Sequence, residues 1–213
     1  MATIFARFRV CQFAVLIVIL SVLIGCRTAY KKIEPDLLIP IGQEGKIPLR
    51  ACLYLNRRLM NFSKGPGPAD VAYIEGKIDM GEALSKGAEN VAKKAFIEVV
   101  TIYTMGPASI PEGIDVVVIP EIDKIYGGYH GEMISALQAH PEVVVRIKWN
   151  IMDANNNLRI LYMNTFTGEA KYRRQWAPTS FPRLCKAYEK AIKDQFAKAY
   201  IGITSTKWWE SIK

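Results

Sequence analysis

The sequence predicts an α+β fold: a two-layer sandwich in which a mostly antiparallel sheet carries helices on one face. Three observations predict it. Apolar and polar residues alternate over Lys46 to Asn56, and again over the adjacent runs Glu142 to Met152 and Leu158 to Gly168, the period-two signature of half-buried strands. Two longer segments, 79–99 and 182–201, instead repeat apolar residues at helical spacing. The resulting order is strand, helix, three or four strands, helix. Helices laid over one face of an antiparallel sheet let that order bury both kinds of apolar surface.

The chain has 213 residues and a formal charge of +8. That length suits one domain with its own core and is short for two. No repeat of roughly 20–50 residues marks a solenoid.

Residues 1–9 contain Arg7 and Arg9 and no acid, and Val10 to Ile24 is apolar except for Gln12 and Ser21. At about 15 residues this run fits the apolar part of an export signal better than a spanning helix, which needs about 20. It ends in Leu23-Ile24-Gly25-Cys26. Placed directly after such a run, the tetrapeptide resembles the lipobox of bacterial lipoproteins. The resemblance implies cleavage after Gly25, whose small side chain suits a narrow peptidase cleft. It further implies diacylglycerol on the Cys26 thiol and acylation of the new amine; two or three acyl chains make a stable anchor. The plain alternative is an uncleaved anchor with Cys26 as an ordinary residue. Arg27 stands where aspartate tends to hold such lipoproteins in the inner membrane, so the resemblance implies the periplasmic face of the outer membrane.

Loss of residues 1–25 removes two arginines and leaves about +6. Such an excess favours acidic partners, although it serves solubility equally well. Export speaks against nucleic acid.

Residues 26–45 mix charge, proline and glycine and read as a tether, leaving 46–205 as the single domain and 206–213 as a tail. Lys46 to Asn56 is the first strand, with Ile47, Leu49, Ala51, Leu53 and Leu55 on its apolar face. Arg57 to Asp70 contains Gly65-Pro66-Gly67-Pro68 and reads as an exposed loop without regular structure. The helix over Asp79 to about Val99 has a capping-box-like start in Asp79 and Glu82, with Leu84, Ala88, Val91, Ala95 and Val99 on one face. Near Phe96 the period shifts, and Val99 to Tyr103 reads as a strand. Ile114 to Ile119 is a β-branched strand that Pro120 is expected to end. In Glu121 to Pro141, Gly127-Gly128 reads as a turn and Met133 to Leu137 as a short helix. The hairpin follows: Val143, Val145, Ile147, Trp149 and Ile151 point inward, and Asp153 to Asn157 supply turn residues tolerant of left-handed geometry. Pro182 opens the final helix, with Cys185, Tyr188, Ile192, Phe196 and Ala199 on its stripe.

Of four cysteines, Cys11 leaves with the signal and Cys26 takes lipid. A bridge between Cys52 and Cys185 would contribute about 4–5 kcal/mol by chain-entropy reasoning. Cys52, however, points away from the odd apolar face of its strand, whereas Cys185 lies on the helical stripe. Helices packed on that odd face would set the sulfurs on opposite sides of the sheet, which favours two unpaired thiols over a bridge.

Residues that carry chemistry are sparse. His130 and His140 stand in no metal-ligand spacing and read as loop residues. Ser63, Ser109, Ser135 and Ser180 lack nucleophile motifs, and Glu121 and Asp123 read as solvated loop carboxylates. No catalytic residue, metal site or cofactor is implied. Lys171 to Trp176 is sharper, because Arg173 and Arg174 beside Tyr172 and Trp176 suit phosphate, glycan or an acidic protein surface. A solvated turn with Trp176 folded on the core is the simpler reading. Trp208-Trp209 suits docking on the domain or a protein interface, ahead of membrane contact, since the anchor is at the other end.

The helix residues Ala83-Leu84, Ala88 and Phe96, with Val143, Val145, Trp149, Asp153, Asn155 and Gly168 of the hairpin, resemble the YajG-type envelope lipoproteins. More distantly they resemble small lipoprotein domains serving lipopolysaccharide assembly and cell-wall synthase activation. The resemblance covers roughly 46–205 and lies in core and turn positions, so it implies fold and location and transfers no active site. It implies a lipid-anchored, non-enzymatic accessory or scaffold of an outer-membrane or cell-wall assembly, held to the membrane through Cys26 and to an envelope protein partner. The alternative is a carrier or sensor that binds an anionic glycolipid or glycan through the basic loop.

Overall fold

Alternation that buries one face of a strand demands a sheet, and five strands supply it. The computed structural model describes residues 29–33, 45–65, 67–68, 73–74, 76–106, 109–130, 140–172 and 181–212. The main sheet joins β2 (Ile47–Tyr54), β7 (Phe96–Ile102), β8 (Val116–His130), β9 (His140–Asp153) and β10 (Ile160–Lys171) in the order β10-β9-β8-β2-β7. β9 is antiparallel to β8 and to β10, whereas β2 is parallel to both β7 and β8. A parallel pair needs a crossover. The helix α2 (Gly81–Ala95) lies on the β2-to-β7 connection, after the one-turn α1 (Arg57–Met60).

The two helical stripes expected from spacing cover one face of this sheet. Leu84, Ala88, Val91 and Ala95 of α2 are buried, as are Cys185, Tyr188, Ile192, Phe196 and Ala199 of α3 (Phe181–Ser205). They meet Ala51 and Leu53 of β2 and the inward residues Val143, Val145, Ile147, Trp149 and Ile151 of β9 in one core. The Trp149 and Phe196 rings meet edge to face, 6.2 Å apart. The fold is therefore the α+β sandwich the sequence predicts, with a mixed sheet.

A second, smaller cluster occupies the opposite face. Cys52, Ile114, Val117 and Ile119 are covered there by Met105 and Ile110 of the β7-to-β8 connection and by Leu158 of the hairpin turn. That turn uses left-handed backbone at Asn157 (φ 49°) and Leu158 (φ 55°). Cys52 and Cys185 thus belong to different clusters and are both buried and unpaired. Burial pushes the Cys52 thiol up, and burial followed by the Glu189 carboxylate pushes Cys185 to about 11.

Several expectations need correction. β8 does not end at Pro120. It continues to His130, with Pro120 opposite Trp149. β2 pairs with β8 only through Val118, so beyond that point one side of β8 is an edge among the described residues, where a proline costs no ladder bond. Gly127-Gly128 is strand, not turn. Tyr188 Oη donates to the Gly127 carbonyl at 3.3 Å, and a Cβ on Gly127 would lie 2.5 Å from the Tyr188 hydroxyl. Glycine here permits a close approach of helix to sheet. His130 and His140 are strand residues paired with each other in the β8–β9 ladder, and Glu121 and Asp123 lie within β8. α2 ends at Ala95, because Phe96 turns extended (φ −110°, ψ 156°) and opens β7, so Val99 belongs to a strand. The capping box is absent: Met80 occupies the cap position without a side-chain bond, while Asp79 Oδ1 accepts from the Gly81 N–H at 3.2 Å.

The largest difference lies at the start of the domain. Residues 29–33, expected within the tether, form β1 (Ala29–Lys32) and the buried Ile33. β1 runs parallel to β6 (Gly76–Asp79), whose other side takes β3 (Ser63–Lys64). The stretch from Arg57, expected to be irregular, holds α1 and β3. α1 is capped by Asn56 Oδ1 accepting from the Leu59 N–H at 2.8 Å and is pinned by fully buried Leu59. Further on, β4 (Gly67–Pro68) pairs with β5 (Tyr73–Ile74) over two residues. The expected helix at Met133 to Leu137 lies outside the described residues.

Candidate functional sites

Three surface features carry candidate function, and the first is the C-terminal tryptophan pair. Trp208 to Ser211 form a single 3-10 turn rather than a free tail. Trp208 Nε1 donates to the Ile203 carbonyl at 3.1 Å. Its ring meets Phe96 at 6.2 Å, Tyr162 at 6.0 Å and Trp209 at 5.8 Å. Both tryptophans are half-buried against the main core, leaving part of each ring in solvent beside the edge strand β10. Ile160 and Met163 of that strand are exposed.

A second feature is a largely apolar groove of about 720 Å³ between the β7-to-β8 connection and the hairpin turn. Met105, Ile110, Ile114 and Leu158 line it, with Glu112 and Asn155 as polar groups. Asn155 Nδ2 is spent on the Ile114 carbonyl at 3.4 Å.

The third is a groove of about 430 Å³ between β1 and the first turns of α3, lined by Tyr30, Lys31, Phe181, Pro182, Lys186 and Glu189. Phe181 lies over Gly76, where a Cβ would meet its ring; this sets the start of α3 against the small sheet. Tyr30 Oη donates to Asp79 Oδ2 at 3.2 Å. Lys32 pairs with Glu82, which also holds Lys86 at 2.7 Å. Hydrogen bonds from these two ammonium groups bring the Glu82 carboxyl down to about 2. Lys31 and Lys186 are exposed and have no ion-pair partner among the described residues.

On the open face of β8 and β9 several polar side chains engage one another. Asn150 Nδ2 donates to Glu121 Oε2 at 3.0 Å, and Arg146 pairs with Asp123 at 3.0 Å. Ser63 lies in β3, and Ser109 sits in a turn, where its N–H donates to the Gly106 carbonyl. Among the described residues no three His, Cys, Asp or Glu side chains gather as a metal site. Among the same residues no helix is long and apolar enough to cross a membrane.

Of the residues singled out from sequence, Trp208 and Trp209 are therefore brought together, while Gly25, Cys26, Arg173, Arg174 and Trp176 lie outside the described residues. Both grooves escaped sequence reasoning. Their walls come from distant segments, and the only local hint was exposed aromatic and basic character at Tyr30-Lys31.

No family model matches the chain, and no curated protein matches it. Among solved structures, a Xanthomonas campestris protein of the family model DUF330 is similar over 87% of this chain and 99% of its own, at 12% identity and a TM-score of 0.58. That likeness shows a shared fold. A PelC dodecamer subunit from Paraburkholderia phytofirmans is 12% identical, covering 79% of this chain and 96% of its own, with a TM-score of 0.41. Uncharacterized lipoprotein B from Nitrosomonas europaea is 14% identical, covering 76% and 84%, with a TM-score of 0.35.

Proposed function

We propose that the protein is a lipid-anchored, non-enzymatic lipoprotein of the bacterial envelope, acting as an accessory or scaffold subunit of an outer-membrane or cell-wall assembly. The observation that carries this reading is Leu23-Ile24-Gly25-Cys26 at the end of an apolar run, followed three residues later by the first strand of a folded domain. Signal, lipid attachment point and domain abut in that order. The fold shared with the Xanthomonas protein is compatible with this role and assigns no activity. The lipid confines the domain to one membrane surface and raises its effective concentration near partners there. The half-buried Trp208-Trp209 ledge supports a protein partner, since large amphipathic rings give contact area at low entropic cost.

A carrier or sensor of anionic glycolipid or glycan, using Arg173 and Arg174, is the competing reading. Affinity purification from detergent-solubilised membranes separates the two. The scaffold reading expects a stoichiometric protein partner that is lost with Trp209→Ala and kept with Arg173→Ala/Arg174→Ala. Retention of bound glycolipid lost only in the arginine variant would overturn it. Mass spectrometry of the N-terminal peptide tests the anchor: a chain that keeps Met1 and a free thiol at Cys26 would sink both readings.

A further inference from the structure

The position of β1 carries a consequence for how the domain stands on its membrane, given the proposed lipidation of Cys26. Three Cα-to-Cα steps separate Cys26 from Ala29, and at 3.8 Å per step they span at most about 11 Å. A domain of this size has a radius of gyration of roughly 16 Å. The link is therefore shorter than the domain is wide, and the far side of the molecule cannot be turned to the bilayer. A tether running to residue 45 would have left every orientation open. The incorporation of Ala29–Lys32 into a sheet removes that freedom.

The groove between β1 and α3 begins one residue beyond Ala29, at Tyr30, and its chemistry matches a lipid surface. Lys31 and Lys186 flank it; both are exposed and unpaired among the described residues. The acids on this side are largely engaged. Asp79 accepts from Tyr30, and Glu82 is held between Lys32 and Lys86, leaving Glu189 in the groove wall. Tyr30 is 60% exposed although it is a large aromatic, and Phe181 is half-exposed beside it. Amphipathic rings flanked by lysines are the composition that settles at headgroup depth. By contrast, the open face of β8–β10 sets Arg146 against Asp123 as an ion pair and engages the Glu121 carboxylate through Asn150 Nδ2.

We infer that the β1–α3 groove is the membrane-apposed face of the domain, with Lys31 and Lys186 set against anionic phospholipid headgroups of the leaflet that holds the Cys26 anchor. The Trp208-Trp209 ledge and the larger apolar groove then remain available to partners.

The test uses the full lipidated protein, purified from membranes and reconstituted at high lipid excess. One vesicle preparation is phosphatidylcholine alone and the other contains phosphatidylglycerol. Acetylation rates of individual lysines are read by mass spectrometry. The expected result is a several-fold slowing at Lys31 and Lys186 in the anionic vesicles, relieved by high salt, with Lys124 and Lys148 on the open sheet face unchanged. Equal rates in both vesicles, or protection of Lys124 and Lys148 instead, would overturn the proposal. Protection that fades when protein is diluted in lipid would also overturn it, since the groove would then be covered by a second copy. The N-terminal peptide in the same digest keeps the two readings apart. Lipidated Cys26 with unprotected lysines refutes the orientation alone, whereas an unmodified Cys26 refutes the anchor on which it rests.

Discussion

The two faces of the main sheet solve the same burial problem with different materials. The helical face is covered by two amphipathic helices and holds the largest side chains, with Trp149, Tyr188 and Phe196 fully buried. The opposite face is covered only over β2 and the start of β8, by a connection and a turn, and its cluster consists of Cys52, Ile114, Val117 and Ile119. Along β8–β10 that face carries the Arg146–Asp123 ion pair and the Asn150–Glu121 hydrogen bond and is open among the described residues. The difference teaches where stability and adaptability reside. Regular elements give a dense, uninterrupted interior, whereas irregular segments give a shallower one with a groove at its margin.

Mutations on the two faces sharpen this contrast. Phe196→Ala should cost the most, about 3–5 kcal/mol in denaturant unfolding, because it empties a site against Trp149 that neighbouring helices cannot refill. Gly168→Ala should follow at about 1–3 kcal/mol. Its new Cβ would fall 2.0 Å from the Ala191 carbonyl and 2.4 Å from the Gln195 nitrogen, so α3 must lift from β10. On the opposite face Ile119→Val should cost about 0.5–1.5 kcal/mol. Were it to match Phe196→Ala, the distinction between the faces would be wrong. Arg146→Ala on the open face should change stability by less than about 1 kcal/mol, as exposed ion pairs do. A thermal midpoint that moves with Arg146→Ala as far as with Gly168→Ala would show that face to be structural.

What could be read from sequence divides along the same line. The β9–β10 hairpin was legible because every second residue of β9 from Val143 to Ile151 is fully buried, so periodicity and environment coincide. The stripes of α2 and α3 were legible for the same reason. Pro120 and Gly127 misled because their meaning depends on neighbours. A proline ends a central strand but not one whose partner has already stopped, and a glycine beneath a tyrosine looks in sequence like a glycine in a turn. β1 was hidden because Ala29–Lys32 is too short to show a period and gains its identity only beside Gly76–Asp79. Of the candidate sites, the tryptophan pair was visible as composition, while its docking on Phe96 and Tyr162 was not. The grooves exist only once Tyr30 meets Phe181 and Met105 meets Leu158.

The separation of the two buried sulfurs by the sheet has a practical sequel. Cys52 and Cys185 cannot reach each other while the domain is closed, and burial keeps both thiols protonated at neutral pH. Packing alone must then drive this chain home, with no waiting for oxidative help, and its melting temperature should be the same with or without dithiothreitol.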